Sequence, residues 1–354
     1  MKELKLLLFS DLHLHPFPRY GTWTPNGQSR LLDGFEVLKE VSDYAVTNGI
    51  EHIIFLGDIH HLHDRMLNAV ASGLYSWAIN CRDLSRKVYF LVGNHDLDFD
   101  CRYHCLDPFR SFFTVVDQSM SVEIDGWDLA FIPWRLGDVF ERDLEGALRL
   151  HDPDVLFLHH DFKDVKYRER DIGRCGSIKA IPKDTLTISG HYHDYIQVND
   201  HVYYIGAPMQ HDWGDRGQKR GMYELTLKPN RKHELRYIRT HYPKFRRIVD
   251  TLALEKDVHW FDDNFIQIWR TDVKTAKKAA ARVRAHARCI DVVNAEDSIA
   301  NVILKAGMAP KGPVRFDPFD VIEAAIKDAE TDLNKWLLKR IGGKAMRKAL
   351  TRDK

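Results

Sequence analysis

KVYFLVGNHD, residues 87–96, decides the fold. Val88 to Val92 is an unbroken apolar run of strand length, and Gly93-Asn94 stops it at once. A strand apolar on both faces belongs in a buried, parallel sheet. Asn94, His95 and Asp96 then stand directly at its carboxyl end, where open α/β sheets bind their ligands.

The same pattern recurs on either side. KLLLFS (5–10), HIIFLG (52–57), LAFIPW (129–134), DVLFLH (154–159) and LTISG (186–190) read as further buried strands, several ending in Gly, Asp or His. Helical spacing over 31–47 and 66–78 fills the gaps between them. VYYIG (202–206) and GMYELTL (221–227) read as two more strands joined by a Gly- and Asp-rich loop. The fold class is α/β, layered around a buried sheet.

At 354 residues the chain is long enough for about two domains. Hydrophobic residues at 44% and charged residues at 29% exclude a chain dominated by disorder. No apolar run is long enough for a membrane span, and the N-terminal run meets Asp11 and His13 too early for a signal peptide. Five scattered cysteines without a CxxC pair suit reduced thiols in a cytoplasm. The near-neutral total hides an asymmetry: residues 246–354 hold 22 Lys and Arg against 16 Asp and Glu, net +6, leaving −5 for residues 1–245. A basic C-terminal part on an acidic body suggests an anionic partner at that end.

The pattern changes near HYPKF (241–245), so the expected domains are 1–245, 246–310 and 311–354. Residues 275–288 are Ala-rich and carry Lys277, Lys278, Arg282, Arg284 and Arg288, which reads as an exposed basic helix. Residues 307–320 are broken by Pro and Gly and read as a linker. A last helix over 318–341 carries an apolar stripe that includes Ile322, Ile326, Leu333 and Trp336.

The chemistry lies in five islands: Asp11-Leu-His13, Asp58-Ile-His-His61, Asn94-His95-Asp96, His159-His160 and His191-Tyr-His193. Nearly all directly follow a predicted strand, so islands far apart in sequence converge at one edge of the sheet. In an extended backbone Asp11/His13 and His191/His193 would each point one way and give two donors. Carboxylate, imidazole and amide donors without thiolate suit Mn²⁺, Fe or Zn²⁺. Seven candidate ligands exceed one ion's needs and suit two ions sharing a carboxylate, a site that holds both oxygens of an in-line displacement at phosphorus. His159 and His160 point to opposite strand faces, and His159, first after the apolar run, is the expected ligand with His160 as the fallback.

D-x-H, G-D-x-x-H, G-N-H-D, H and G-H-x-H, in this order over about residues 4–195, resemble the calcineurin-like metallophosphoesterase superfamily. The segment 204–225, IPW (132–134) and HHDF (159–162) are similar to SbcD-type nucleases, most of all to phage recombination-endonuclease subunits. The resemblance implies a four-layer α/β sandwich with a smaller C-terminal cap and partner-binding region. It implies one metal on Asp11, His13, Asp58 and His193, and a second on Asp58, Asn94, His159 and His191. His95 would be the catalytic histidine, Asp96 would orient it, and His61 would assist. The implied activity is metal-dependent DNA cleavage, exonucleolytic and endonucleolytic, in recombination and repair, with Mn²⁺ as the first choice of metal.

The implied partners are DNA, an SbcC-type ATPase and a second copy of the chain, in the host cytoplasm if phage-encoded. Lys277, Lys278, Arg282, Arg284 and Arg288 would meet the DNA backbone, and Ile322, Ile326, Leu333 and Trp336 the ATPase. The alternative is a phosphoesterase for small molecules, which leaves the basic C-terminal part less well explained. His60 and His63 read as polar surface, and His15 as an exposed loop residue.

Overall fold

The computed structural model describes residues 1–168, 170, 173 and 175–294. The chain divides into two compact units, Met1–Tyr242 and the part from Pro243 on. The first unit holds two six-stranded sheets. One runs, in spatial order, β14 (His233–Arg239), β13 (Gly221–Leu227), β1 (Leu4–Phe9), β4 (His52–Phe55), β5 (Lys87–Leu91) and β6 (Thr114–Val116). The other runs β11 (Ile196–Gln197), β12 (Val202–Tyr204), β10 (Leu186–Gly190), β9 (Val155–His159), β8 (Trp127–Ile132) and β7 (Met120–Ile124). Each has four adjacent parallel strands, β1-β4-β5-β6 and β12-β10-β9-β8, so each sheet offers a row of neighbouring carboxyl ends. A short hairpin, β2 (Trp23–Thr24) with β3 (Gly27–Gln28), leads into the first helix.

Strand alternation builds the layers. Leu6, Leu8, Ile54 and Leu91 from one sheet meet Leu129, Phe131, Phe157 and Ile188 from the other in a shared core. The opposite face of the first sheet (Leu7, Phe9, Ile53, Phe55) packs on Val37 and Val41 of α1 (Ser29–Thr47) and Leu74 and Trp77 of α2 (Asn68–Asp83). The outer face of the second sheet (Ala130, Ile132, Leu156, Leu158) covers Phe140 and Leu144 of α3 (Gly137–His151). The architecture is therefore a helix–sheet–sheet–helix sandwich. Helix α1 starts where the Gln28 side chain accepts from the N–H of Arg30 at 2.8 Å, and ends at Asn48-Gly49, where Gly49 takes φ +64°.

The expected strands are present with shorter ends. Strand β8 stops at Ile132 because Pro133 has no N–H to give the ladder. The runs at 202–206 and 221–227 do not pair with each other: β12 joins one sheet and β13 the other. Among the elements not singled out from the sequence are β7, β14 and α3. The first two are largely solvent-facing, and α3 carries a narrow stripe (Phe140, Leu144, Ala147) on a charged helix.

The first sheet carries a buried, stabilising carboxylate on the strand next to its β14 edge. Glu224 of β13 accepts from the Tyr44 hydroxyl at 2.7 Å and from Arg236 at 2.6 Å. Burial alone would raise its pKa, but these two hydrogen bonds and the Arg236 charge lower it below the usual carboxylate value. A depressed folded-state pKa means that its stabilisation is complete above about pH 4.3 and lost as pH falls through the folded value. Glu224→Gln is expected to cost about 1 kcal/mol at neutral pH and to flatten the acid limb of a melting-temperature profile.

The second unit, described over 243–294, is a parallel three-stranded sheet: β15 (Phe245–Val249), β16 (Phe265–Arg270) and β17 (Cys289–Asn294). The crossovers carry α4 (Asp250–Glu255) and α5 (Val273–Val283). Helix α5 buries Ala276, Ala279 and Val283, the last two in one core with Ile266 and Ile268. Its basic residues divide: Lys277, Lys278 and Arg284 are exposed, whereas Arg282 donates to the Lys256 carbonyl and Arg288 pairs with Asp263. Arg282 and Arg288 are thus half-buried and engaged within the unit, unlike the free basic face expected of them. The linker over 307–320, the helix over 318–341 and the stripe of Ile322, Ile326, Leu333 and Trp336 lie outside the described residues.

Candidate metal centre

All five islands meet at the carboxyl ends of β1, β4, β5, β9 and β10. The loops are stitched to each other by backbone bonds: Asp11 N–H to the Gly57 carbonyl (2.9 Å), His13 N–H to Asp58 (3.0 Å) and Leu14 N–H to Ile59 (2.7 Å). The backbone here is not extended. Asp11 (φ +53°), His13 (+48°), Asp58 (+62°) and His191 (+82°) all lie in the left-handed region. That conformation is costly for side-chain-bearing residues and collects at functional sites. It replaces the extended geometry expected from alternation, and it still turns each pair of donors inward.

Two donor groups result. Asp11, His13 and His193 offer atoms mutually within 4.8 Å, and so do Asp58, His159 and His191. His13 Nε2 faces His193 Nε2 at 3.1 Å. The Asn94 side-chain oxygen lies 3.2 Å from His159 Nε2 and 3.0 Å from His191 Nδ1. Asp58 Oδ2 stands between the groups, 3.6 Å from His13 Nε2 and 3.4 Å from His159 Nε2, while its Oδ1 accepts the His95 N–H at 2.8 Å. His160 lies on the other strand face, bonded to the Arg135 and Asp161 carbonyls and stacked on Phe140 and Trp134.

The donor chemistry fits cations. The His159 Nδ1 bonds to the Leu56 carbonyl, which can only accept, so the ring proton sits there and Nε2 turns a lone pair to the site. That lone pair then faces two further acceptors, Asp58 Oδ2 and the Asn94 oxygen. Burial would lower the His159 pKa, but the Asp58 and Asp11 charges push it up to about 9, so the site calls for positive charge at this point. His13 is held neutral by burial, and its Nδ1 is buried without a partner. Two divalent ions, one per group with Asp58 between them, satisfy this arrangement.

Glycines make room for it. Gly57 has φ +98°, and a Cβ there would come within 2.5 Å of His159 Nδ1 and 2.9 Å of the Gly93 backbone. Gly57→Ala is expected to displace His159 and lower bound metal by about 10-fold or more, read by metal analysis of the purified protein. Retention of full metal content would refute the packing argument.

His95 lies at the rim, its ring 4.6 Å from that of His13. Its Nδ1 bonds to the His61 carbonyl at 2.7 Å, leaving Nε2 as the exchangeable position. Asp96 does not orient it, contrary to the sequence reading. Its carboxylate accepts backbone N–H groups from Gly93, Asp58 and Ile59 at 2.9–3.0 Å and so fixes the loops that carry Asp58 and Asn94. His61 stacks at 5.6 Å on His95, and burial lowers its pKa to about 4. Three histidines read as surface are not. His60 is 2% exposed. His63 stacks on His95 at 4.1 Å, and half-buried His15 sits 5.3 Å from His61.

The sequence reading gave no role to His211. It is buried, donates from Nε2 to the Asp11 carbonyl at 2.9 Å, and lies 5.1–5.3 Å from the His193 and His13 rings. The only signal was its place in the 204–225 segment. Arg220 holds the His193 carbonyl and pairs with Asp194 and Asp215, each at 2.8 Å. A cleft of about 350 Å³ opens over the site, lined by His13, His61, His95, His193, His211 and Arg168 among others.

No family model matches the chain. Two curated viral proteins are similar to it. Phosphoesterase 244L of Invertebrate iridescent virus 6 is 25% identical over 191 residues, 48% of this chain and 62% of that protein. Phosphoesterase 078R of Invertebrate iridescent virus 3 is 26% identical over 190 residues, 47% and 50% of the two chains. The chain thus spans about half to three-fifths of the length of these relatives. Among solved structures, a dimetal phosphatase from Danio rerio aligns with 64% of this chain and 93% of its own at 11% identity and TM-score 0.43. The nuclease MPE of Pseudomonas putida covers 65% and 87% at 13% identity and TM-score 0.31. The sandwich and its strand-end donors thus form a candidate metal centre in a chain that is similar to two viral phosphoesterases. Among the described residues no helix is long and apolar enough to cross a membrane.

Proposed function

We propose that the chain is a metal-dependent DNA nuclease of the SbcD type, cleaving phosphodiesters endonucleolytically and exonucleolytically. The observation that carries the hydrolase reading is the Asp58 carboxylate set between two buried donor groups. Two divalent ions, Mn²⁺ first, held by Asp11, His13, Asp58 and His193 and by Asp58, Asn94, His159 and His191, would supply Lewis-acid stabilisation of charge at phosphorus. The protein's own groups do the rest. His95, its Nδ1 donating to the His61 carbonyl, would take up a second proton at Nε2 beside the bound phosphate and pass it to the leaving oxygen. Asp96 keeps the Asp58 and Gly93 backbones in place, and His61 and His63 sandwich the His95 ring.

A second observation favours nucleic acid over small phosphate esters. His61, His95, His63 and Phe99 form a run of near-parallel rings, 5.6, 4.1 and 5.7 Å apart, that ends at a Phe99 ring 77% exposed. An exposed aromatic ring beside a phosphate site suits an unpaired base. Exposed Lys277, Lys278 and Arg284 in the second unit suit the DNA backbone. An SbcC-type ATPase and a second copy of the chain complete the proposed assembly, in a cytoplasm.

His95→Ala is expected to keep its metal and lose about 10²–10⁴-fold in rate. The test is cleavage of linear single- and double-stranded DNA with Mn²⁺ at low salt, beside bis-p-nitrophenyl phosphate. Full DNA cleavage by the variant would remove His95 from the chemistry. Hydrolysis of the small ester with DNA intact would favour the small-molecule alternative.

A further inference from the structure

A second donor cluster adjoins the backbone of the Asp58 loop; of its side chains Asp96 alone has a role above, as an acceptor of backbone N–H groups. A ring nitrogen of His60, an Asp96 carboxylate oxygen and Cys105 Sγ lie mutually within 4.8 Å. His60 and Asp96 are 2% and 1% exposed, and Cys105 is partly exposed. His60 Nε2 is buried without any hydrogen-bond partner, the kind of orphan that a bound group removes. Asp96 already accepts three backbone N–H groups, which leaves lone-pair capacity on Oδ1. All three side chains line a cavity of about 380 Å³ that gives the cluster an entry path.

We propose that His60, Asp96 and Cys105 form a cation site separate from the strand-end centre, selective for a borderline-soft divalent ion such as Zn²⁺. The donor set is what distinguishes it. Imidazole, carboxylate and thiolate together suit Zn²⁺, with three protein donors and a fourth position open to the cavity. The strand-end centre has only nitrogen and oxygen donors. On binding, the Cys105 S–H bond is replaced by a sulfur–metal bond and the proton leaves to solvent. Because Asp96 also accepts from the Asp58 and Gly93 N–H groups, an ion here braces the loops that present Asp58 and Asn94. Its role is positioning.

The test uses Co²⁺ as probe on the purified full-length chain. A thiolate-to-cobalt charge-transfer band in the near ultraviolet reports this site and not the strand-end centre, whatever the latter holds. The band is expected in the parent protein and in Cys101→Ser, absent in Cys105→Ser and weakened in His60→Gln, with bound metal falling by one ion per chain in Cys105→Ser. Circular dichroism confirms that the variants fold. No band in the parent, or a band of equal strength in Cys105→Ser, overturns the proposal.

Discussion

Asp58→Asn is expected to abolish hydrolysis, lowering the Mn²⁺-supported rate by about 10³-fold or more, and to strip metal from both donor groups at once. The reasoning is geometric. Asp58 Oδ2 lies 3.6 Å from His13 Nε2 and 3.4 Å from His159 Nε2, so one carboxylate serves two groups that otherwise share no side chain. Removing Asp11 or Asn94 disturbs one group, whereas removing the Asp58 charge weakens both. Burial opposes that charge, and the His159, His13 and His95 rings overcome the burial and hold the carboxyl well below its usual range. Asn keeps the shape and the acceptor for the His95 N–H, so the fold is expected to persist. Metal analysis and phosphodiester turnover are measured together, with Asn94→Ala as comparison. Loss of one ion's worth of metal from each variant alike would show that Asp58 serves a single group.

Much of this site is legible in the sequence, for a definable reason. Buried parallel strands are apolar runs, and a turn residue followed by Asp, Asn or His marks their carboxyl ends, so Asp11, Asp58, Asn94, His159 and His191 stand out by position. Strand alternation admits one of His159 and His160, His159 is preferred as the first after the apolar run, and the structure turns it to the site. What was not legible depends on contacts made across long sequence separations. The Asp96 carboxylate was assigned to its neighbour His95, yet it spends its lone pairs on three backbone N–H groups, two of them on the β4 loop. His60 and His63 lie in a polar stretch, HHLHD, whose composition reads as surface; the bridge between Leu14 and His60 and the stack on His95 draw them inward. His211 reaches the Asp11 carbonyl across 200 residues, a contact that no local pattern announces. The left-handed backbone at Asp11, His13, Asp58 and His191 is likewise imposed by the crossing loops and not by turn residues.

Arg220→Met is expected to be the most destabilising single change in the first unit, by about 3–5 kcal/mol, which corresponds to about 10 °C in melting temperature for a unit of this size. The Arg220 side chain is 0% exposed, and its guanidinium meets Asp194 and Asp215 at 2.8 Å while also donating to the His193 carbonyl. Burial would raise the Asp215 pKa, but the Arg220 charge and the His211 contact hold it well below the ordinary carboxylate value. Once the arginine is gone, those buried carboxylates keep the half-exposed Arg168 as counter-charge, which bonds Asp194 at 2.7 Å and Asp215 at 2.9 Å, and Asp215 keeps the His211 N–H. An uncompensated buried charge is what makes the loss large, because the pair itself contributes little against its desolvation. Neutralising the partners should therefore restore stability: Arg220→Met combined with Asp194→Asn and Asp215→Asn is expected to melt above Arg220→Met alone. The same carbonyl contact carries the effect to the site, since the Arg220 bond to His193 fixes the loop that delivers its Nε2 beside His13. Bound metal should fall in Arg220→Met and stay low in the triple variant, separating the charge penalty from the positioning role. Equal recovery of stability and metal in the triple variant would assign the whole effect to charge.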